Sequence, residues 1–204
     1  MADQECCKVA LGIGTIAADC DKNQLAGARD LRVALLCYVL SISETAAPDH
    51  VVDDIVMNTL INNPIDGDDE YLFYKIGTKE KTLSHTFAWT CAEETDRNSF
   101  EETIAGQVPY RNPRTFNVLQ QWMCKEIVAI AKEAGDDGRW FITGIGGGLK
   151  LRDVNGGTGE GTRDNNNTNI VISGEELLRS FIYVDAGTPA ATQALMDAIT
   201  STAI

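Results

Sequence analysis

The chain has 204 residues, of which 44% are hydrophobic and 23% charged, with 30 acidic side chains against 17 Lys and Arg. A chain of this length and composition can bury a hydrophobic core without the help of a metal ion or a disulfide. The formal net charge of −13 argues against a nucleic-acid-binding protein, because binding phosphate requires clustered Lys and Arg. No apolar run approaches the roughly 20 residues of a membrane-spanning helix.

The first third of the chain predicts an arm followed by three strands. Residues 1–30 carry small residues, glycines and scattered charge, which predict an extended arm. Leu31–Ser43 is rich in β-branched and aromatic residues and predicts one long strand, although its Leu and Ala residues also fit a helix. Pro48 interrupts the pattern, and strand-like runs follow at Val51–Ile61 and Tyr71–Ile76.

The run Ser84–Cys91 alternates between two kinds of side chain. His85, Phe87 and Trp89 point to one side, and the small and hydroxyl residues between them point to the other. This period of two predicts a strand with one face on a core. We therefore expect His85 to be a core or interface histidine.

The middle of the chain predicts a strand, a helix and a hairpin. Phe100–Val108 is a strand candidate. Asn112–Cys124 is the best helix, because Asn112 suits a cap and Pro113 suits the first turn. Its apolar face comprises Phe116, Leu119 and Met123. The hairpin has strands Ile127–Ile130 and Arg139–Thr143, joined by the turn Gly135–Gly138.

The last third predicts further strands and an Ala-rich tail. These elements are strands at Gly148–Leu151, Thr168–Ser173 and Leu177–Val184, and a short helix after Pro189. Without β-α-β alternation, about eight strands joined mostly by short turns predict a mainly β fold. We expect a β-sandwich or small antiparallel β-barrel with one flanking α-helix. The predicted domains are an N-terminal arm at 1–30, a β domain at 31–185 and a C-terminal tail at 186–204.

A glycine-rich segment, Gly144–Asn169, has eight glycines in its first 18 positions. A Walker phosphate loop needs Ser or Thr after its Lys, and Lys150 is followed by Leu151. The dinucleotide pattern also fails, because Leu149 stands where the third glycine is required. These mismatches exclude both phosphate-binding motifs.

The same segment fits a calcium loop poorly. Counting from Asp153, an EF-hand requires an oxygen ligand at position 5, Gly at 6 and Glu at 12. Those positions hold Gly157, Thr158 and Asp164. Two interpretations stay open for Asp164–Asn167: an ion site of another geometry, or a loop whose Asn and Asp residues accept left-handed backbone. We favour the loop and predict no cofactor and no metal.

No catalytic constellation stands out. There is no Gly-x-Ser-x-Gly motif, and the acidic pairs Glu93–Glu94 and Glu101–Glu102 lie in turn-like contexts, where carboxylates are usually solvated. Six cysteines form no Cys-x-x-Cys pair. We expect no signal peptide, reduced thiols that mostly pack, and no enzymatic activity.

The order of features from Asp30 to Val184 resembles tail-tube and tail-ring proteins of tailed bacteriophages, particularly phages of Bacteroidetes. The pattern is an aromatic–Ile–x–Gly strand, Gly-Leu-x-Leu, Thr-Gly, Asp-x-Asn, a strand and Gly-Glu. It is carried by Trp140–Gly144, Gly148–Leu151, Thr158–Gly159, Asp164–Asn167, Asn169–Ser173 and Gly174–Glu175.

This resemblance implies a virion structural protein, made in the host cytoplasm, whose subunits form a ring that conducts DNA. The ring is expected to be a hexamer or a multiple of six, to contact adjacent tail, portal or ring proteins, and to let DNA pass without specific binding or any membrane association. An acidic lumen would repel phosphate and fit that role. The alternative is a non-catalytic β-sandwich module that binds carbohydrate or protein.

Under the first hypothesis, the long loop in the glycine-rich segment contacts a neighbouring subunit, since loops of this length inside a compact domain are usually functional. The predicted contact residues are Asn155, Gly156, Gly157, Thr158, Gly159, Glu160, Gly161, Asp164, Asn165 and Asn166.

Overall fold

The computed structural model describes residues 9–11, 14–16, 27–45, 51–58, 72–78, 82–92, 97–108, 113–134, 138–156, 168–177 and 179–201. These residues form a mainly β fold with two α-helices, so the predicted fold class is confirmed. The helices are α1 (Pro113–Trp122) and α2 (Pro189–Ala198). The strands are β1 (Val9–Leu11), β2 (Gly14–Ile16), β3 (Ala28–Leu35), β4 (Val39–Glu44), β5 (Val52–Met57), β6 (Phe73–Lys75), β7 (Ser84–Ala92), β8 (Arg97–Val108), β9 (Glu126–Glu133), β10 (Trp140–Thr143), β11 (Leu149–Gly156), β12 (Thr168–Leu177), β13 (Ile182–Val184) and β14 (Thr200–Ser201).

Twelve of these strands form one mixed sheet, and β1 and β2 pair separately. The main path runs β4-β5-β13-β10-β9-β11-β12-β8-β7. Strand β9 is the branch point: β3 pairs along one edge, while β10 and β11 share the other edge. The path ends at β4 and β7, which do not pair with each other. The sheet is therefore open, and the barrel alternative is wrong.

The core surrounds β9 because this strand has neighbours on both edges. Its five consecutive residues from Ile127 to Ala131 are all buried. A fully apolar run is typical of a strand covered on both faces. The predicted hairpin is confirmed, since β9 and β10 pair antiparallel. Its turn at 135–137 lies outside the described residues.

The predicted long strand at Leu31–Ser43 is instead two strands, separated by a short 3-10 helix at Leu36–Tyr38. The reason lies in their partners, because β3 pairs with β9 and β6, whereas β4 pairs with β5 near the end of the sheet. The chain must turn to reach a different part of the sheet, and Tyr38 buries its ring in that turn.

The predicted central helix is confirmed as α1, which buries Leu119 and Trp122 against the sheet. The Trp122 ring meets Tyr74 edge to face at a centroid distance of 5.4 Å. Met123 was expected on the buried face, but the helix ends at Trp122 and Met123 is 37% exposed. The Phe116 side chain lies outside the described parts of the chain.

The expected short helix after Pro189 is α2, capped by Thr188, whose hydroxyl accepts a hydrogen bond from the Ala191 amide at 3.1 Å. The C-terminal end of α2 is held by Arg32, a buried residue that the sequence patterns did not identify. Arg32 Nη1 donates to the Met196 carbonyl at 2.6 Å and to Thr200 Oγ1 at 2.7 Å. The Arg32 guanidinium lies 4.5 Å from the centroid of the Trp140 ring. Strand β3 therefore anchors α2 to the core.

Candidate functional site

Among the described strands, β7 is the last on the sheet path, and its sequence lacks the usual protection of an edge. It pairs with β8 over nine consecutive residues without a register shift, and β8 is its only strand partner among the described residues. Its sequence contains no Asp, Glu, Lys, Arg or Pro. Native edge strands usually carry charges, proline or a bulge that prevents pairing with another chain. The absence of these features makes β7 the leading candidate for an interaction surface.

The predicted alternation on β7 is confirmed, but its predicted burial is wrong for two of three residues. His85 and Phe87 lie opposite Ile104 and Glu102 of β8, so they share one face with them. Phe87 is 52% exposed and Trp89 is 62% exposed. They lie on the last strand of an open sheet, where no further described strand covers them. His85 alone is largely covered, with 11% of its side chain exposed.

A buried carboxylate, Glu102, lies beneath this face and accepts hydrogen bonds from several elements. Its side chain is fully buried. Ser180 Oγ donates to Oε1 at 2.9 Å, and the Phe181 amide donates to the same oxygen at 2.6 Å. Thr143 Oγ1 donates to Oε2, and His85 Nε2 lies 3.2 Å from that oxygen. These contacts join β7 and β8 to β10 and to the segment before β13.

Aromatic rings continue from this cluster to the surface. The His85 ring stacks on Phe141 at a centroid distance of 4.6 Å and meets Phe181 edge to face at 5.1 Å. Phe87 lies 5.1 Å from Phe181 and 5.4 Å from Trp89. Contacts of this kind stabilise aromatic pairs beyond the area that they bury. The exposed rings are thus the outer end of a packed aromatic row.

The exposed Trp89 ring is fixed in place by the buried cluster. Its Nε1 donates to Ser180 Oγ at 2.9 Å, and the same hydroxyl donates to Glu102 Oε1. A side chain held in this way has less conformational freedom to lose on binding. The hydrogen bond to Ser180 therefore favours a surface on which the Trp89 ring is already oriented before a partner binds.

The cluster does not have the geometry of a serine nucleophile with a histidine base. The Ser180 hydroxyl donates to Glu102 rather than to His85. Within the described ranges, no three His, Cys, Asp or Glu side chains are grouped so that they could hold a metal ion. The arrangement can tie strands together and orient surface rings.

Sequence reasoning missed Glu102 because it treated the Glu101–Glu102 pair as solvated in a turn. The pair instead lies within β8, where Glu101 is exposed and Glu102 is buried. The two-residue period of a strand could have predicted that Glu102 is buried. Glu102 lies two residues from Phe100 and two from Ile104, on the same face of β8.

The opposite end of the sheet also exposes apolar side chains, but its edge is irregular. Leu40 of β4 is 60% exposed, and Val56 of β5 is 39% exposed. The β4–β5 pairing has two register shifts, one of which falls at Leu40. Nearby, Arg179 Nη2 donates to Glu44 Oε2 at 2.8 Å. This hydrogen bond raises the pKa of Arg179 above its ordinary value. Bulges and charges of this kind protect an edge from pairing.

Of the predicted contact loop, the structure describes only Asn155 and Gly156, and neither contacts Glu102. Asn155 and Gly156 are the last residues of β11, and Asn155 Nδ2 donates to Asp153 Oδ2 at 2.6 Å. The remaining predicted contact residues, and the Asp164–Asn167 candidate for an ion site, lie outside the described residues. Those remaining contact residues are Gly157, Thr158, Gly159, Glu160, Gly161, Asp164, Asn165 and Asn166.

No family model, curated protein or solved structure matches the chain. Among the helices in the described ranges, none has the length and apolar character needed to cross a membrane.

Proposed function

We propose that this chain is a structural protein that assembles with copies of itself into a ring or tube, like the phage tail proteins that its sequence resembles. One observation carries the proposal. Four of the five large hydrophobic side chains that are exposed in the described residues belong either to β7, which ends the sheet path, or to the β4–β5 pair at its other end. The four side chains are Phe87, Trp89, Leu40 and Val56.

An assembling subunit needs more than one contact region, and β7 at one end of the sheet path and the β4–β5 pair at the other are the two candidates. A subunit with one self-complementary surface stops at a dimer, whereas one with two contact surfaces can form a closed ring or a longer array. Exposed apolar patches on a folded protein mark interaction surfaces more often than scattered single residues do. The two sheet ends therefore support assembly better than they support an isolated monomer.

The acidic composition supports a conduit for DNA. With a net charge of −13, a ring of these subunits would repel phosphate at its inner surface and let DNA pass without specific binding. Within this proposal the ring lies in the virion and contacts adjacent tail, portal or ring proteins. Six subunits, or a multiple of six, remain the expected number. The loop that follows Gly156 remains the proposed contact with a neighbouring subunit.

Electron microscopy of the purified chain tests the proposed function. We expect rings or short tubes with a central hole. The variant Trp89→Ser should reduce their number, whereas Met123→Ser should not, because the exposed Met123 bridges Leu151 of β11, which lies inside the sheet path. Particles without a central hole, or a chain that remains monomeric at high concentration, would contradict the proposal.

A non-catalytic binding module is the second candidate, because Trp89 is both exposed and fixed by Ser180. An aromatic ring presented in this way can stack on the apolar face of a sugar ring or receive a protein side chain. Glycan-array binding by a monomeric chain, abolished by Trp89→Ala, would favour this candidate over the ring.

A further inference from the structure

The exposed strand β7 contains a nearly palindromic sequence, which we call the β7 palindrome. It runs Thr86-Phe87-Ala88-Trp89-Thr90. Reversing its order exchanges Thr with Thr and Phe with Trp, and leaves Ala at the centre. An antiparallel pair of two such strands therefore places chemically matched residues opposite one another. Such symmetry has no evident role in a strand whose outer edge stays solvated.

We propose that two copies of this chain join through β7, which pairs antiparallel with β7 of the second copy across a two-fold axis at Ala88. The contact is isologous, since the same surface is used on both subunits, and two-fold dimers of this kind are the commonest oligomers. The join extends the sheet from one subunit into the next by main-chain hydrogen bonding.

On the aromatic face, this register covers the exposed rings. Phe87 of each copy lies opposite Trp89 of the other, which gives two aromatic cross-strand pairs. Aromatic pairs directly opposite one another are among the favourable pairs in antiparallel sheets. Both rings are more than half exposed in the single chain, so the dimer buries the largest apolar side chains at this end of the sheet.

On the other face, the same register places Thr86 opposite Thr90 twice and Ala88 opposite itself. All three residues are exposed in the single chain. Thr–Thr pairs are also favourable across antiparallel strands, and the small Ala side chains fit close to the symmetry axis. The register therefore matches residues on both faces at once.

Charge and edge shape favour a second β7 over β4 as the partner. Strand β7 contains no Asp, Glu, Lys or Arg, so two copies of an acidic chain meet there without opposed carboxylates. The β4 edge has bulges and the Arg179–Glu44 ion pair, which interrupt a straight register. A regular, uncharged strand pairs best with another of the same kind.

This inference names the partner of a surface that the proposed function also uses, and therefore rests on self-assembly. It assigns β7 to a two-fold contact and leaves ring closure to the β4 end and the contact loop. Three such dimers contain the six subunits expected of a ring. The two proposals are separable, because rings can form through a contact of β7 other than the two-fold pairing, and dimers can form without rings.

Light scattering on the native chain and two variants tests the two-fold contact. In Ala88→Lys, two lysines face each other at the axis, and like charges directly opposite one another destabilise the pair. We expect the dissociation constant of the dimer to rise about tenfold or more. Ala190→Lys, on the exposed surface of α2 and outside both proposed contacts, should leave it unchanged. A native chain without dimers, or a dimer insensitive to Ala88→Lys, would overturn the inference.

The variant Ala88→Cys tests the register itself. At the axis, Cα atoms of opposite residues lie about 4.5–5.5 Å apart, which is within the range for a disulfide. Mild oxidation should link position 88 to itself in the folded dimer, as identified by mass spectrometry of the linked peptide. Thr86→Cys alone should link to itself much less, because Thr86 faces Thr90. Equal linkage in both variants, or rings whose position 88 never links, would contradict the register while leaving ring assembly intact.

Discussion

At the scale of single residues, Glu102 is the side chain that most clearly connects the core to the proposed interaction surface. It is buried, yet it lies one residue from the exposed Glu101. Burying a carboxylate is costly unless hydrogen bonds compensate for the lost water. The donors from Ser180, Thr143 and the Phe181 amide provide that compensation. The exposed Trp89 ring depends on the same cluster through Ser180.

Replacing Glu102 tests this role. In Glu102→Gln, the amide group presents hydrogens to donors that need an acceptor, so at least one buried hydrogen bond is lost. We expect the free energy of unfolding to fall by about 2 to 3 kcal/mol in urea denaturation. The control Glu101→Gln changes an exposed neighbour and should stay within about 0.5 kcal/mol of the native chain. Equal effects of the two substitutions would contradict the cluster's role.

Tyr183 gives a residue-scale test at alkaline pH. Burial, together with the hydrogen bond that Tyr183 donates to Glu133 at 2.7 Å, raises its pKa to about 12. An unfolded tyrosine ionises near pH 10. The raised pKa therefore contributes stability that is fully present below about pH 10 and is lost as the pH rises through 12. Absorbance titration should show a late tyrosinate step that Tyr183→Phe removes. A titration curve without such a step would contradict this environment.

At the scale of elements, the glycine-rich segment begins with a structural turn. Between β10 and β11, Gly144 and Gly148 have φ angles of 86° and 73°, and the Gly148 amide donates to the Gly144 carbonyl at 3.0 Å. A Cβ on Gly148 would lie 2.6 Å from Glu126 Cβ. These two positions need glycine because the turn lies directly against β9.

Substituting these glycines separates backbone strain from crowding. Gly148→Ala introduces both a strained positive φ and a clash with Glu126. It should lower the free energy of unfolding by about 2 to 4 kcal/mol. Gly187→Ala introduces only the strain of a positive φ of 92°, without a clash. It should lower the free energy of unfolding by about 1 to 2 kcal/mol. Gly77→Ala has open space and no positive φ, and should be close to neutral in the same thermal or urea unfolding. Equal losses at all three positions would contradict the packed turn.

The elements also show how far the sequence alone leads. Local patterns predicted α1, the β9–β10 hairpin and the alternation on β7, because capping residues and side-chain periods are local signals. They did not predict the break between β3 and β4, which depends on the partners of each strand. Nor did they predict that Phe87 and Trp89 are exposed, since period alone does not reveal which strand ends a sheet. Arg32 was missed because its partners lie far away in sequence, whereas Glu102 was missed because its pair was assigned to a turn rather than to β8.

At the scale of the whole molecule, the open sheet is the main finding. Its path ends at one regular, uncharged strand and at one irregular strand next to an ion pair, and both ends expose large apolar side chains. Long, flat edges with exposed aromatic residues are aggregation hazards when nothing covers them. The proposed self-assembly would cover β7 and so account for an edge of this kind.

The molar mass of the native chain in solution tests this account most directly. Sedimentation velocity over a wide concentration range should show dimers or larger closed assemblies, whose share rises with concentration and falls in Trp89→Ser. A single monomeric species at every concentration, with native secondary structure, would contradict the claim that the uncovered sheet ends are self-assembly surfaces.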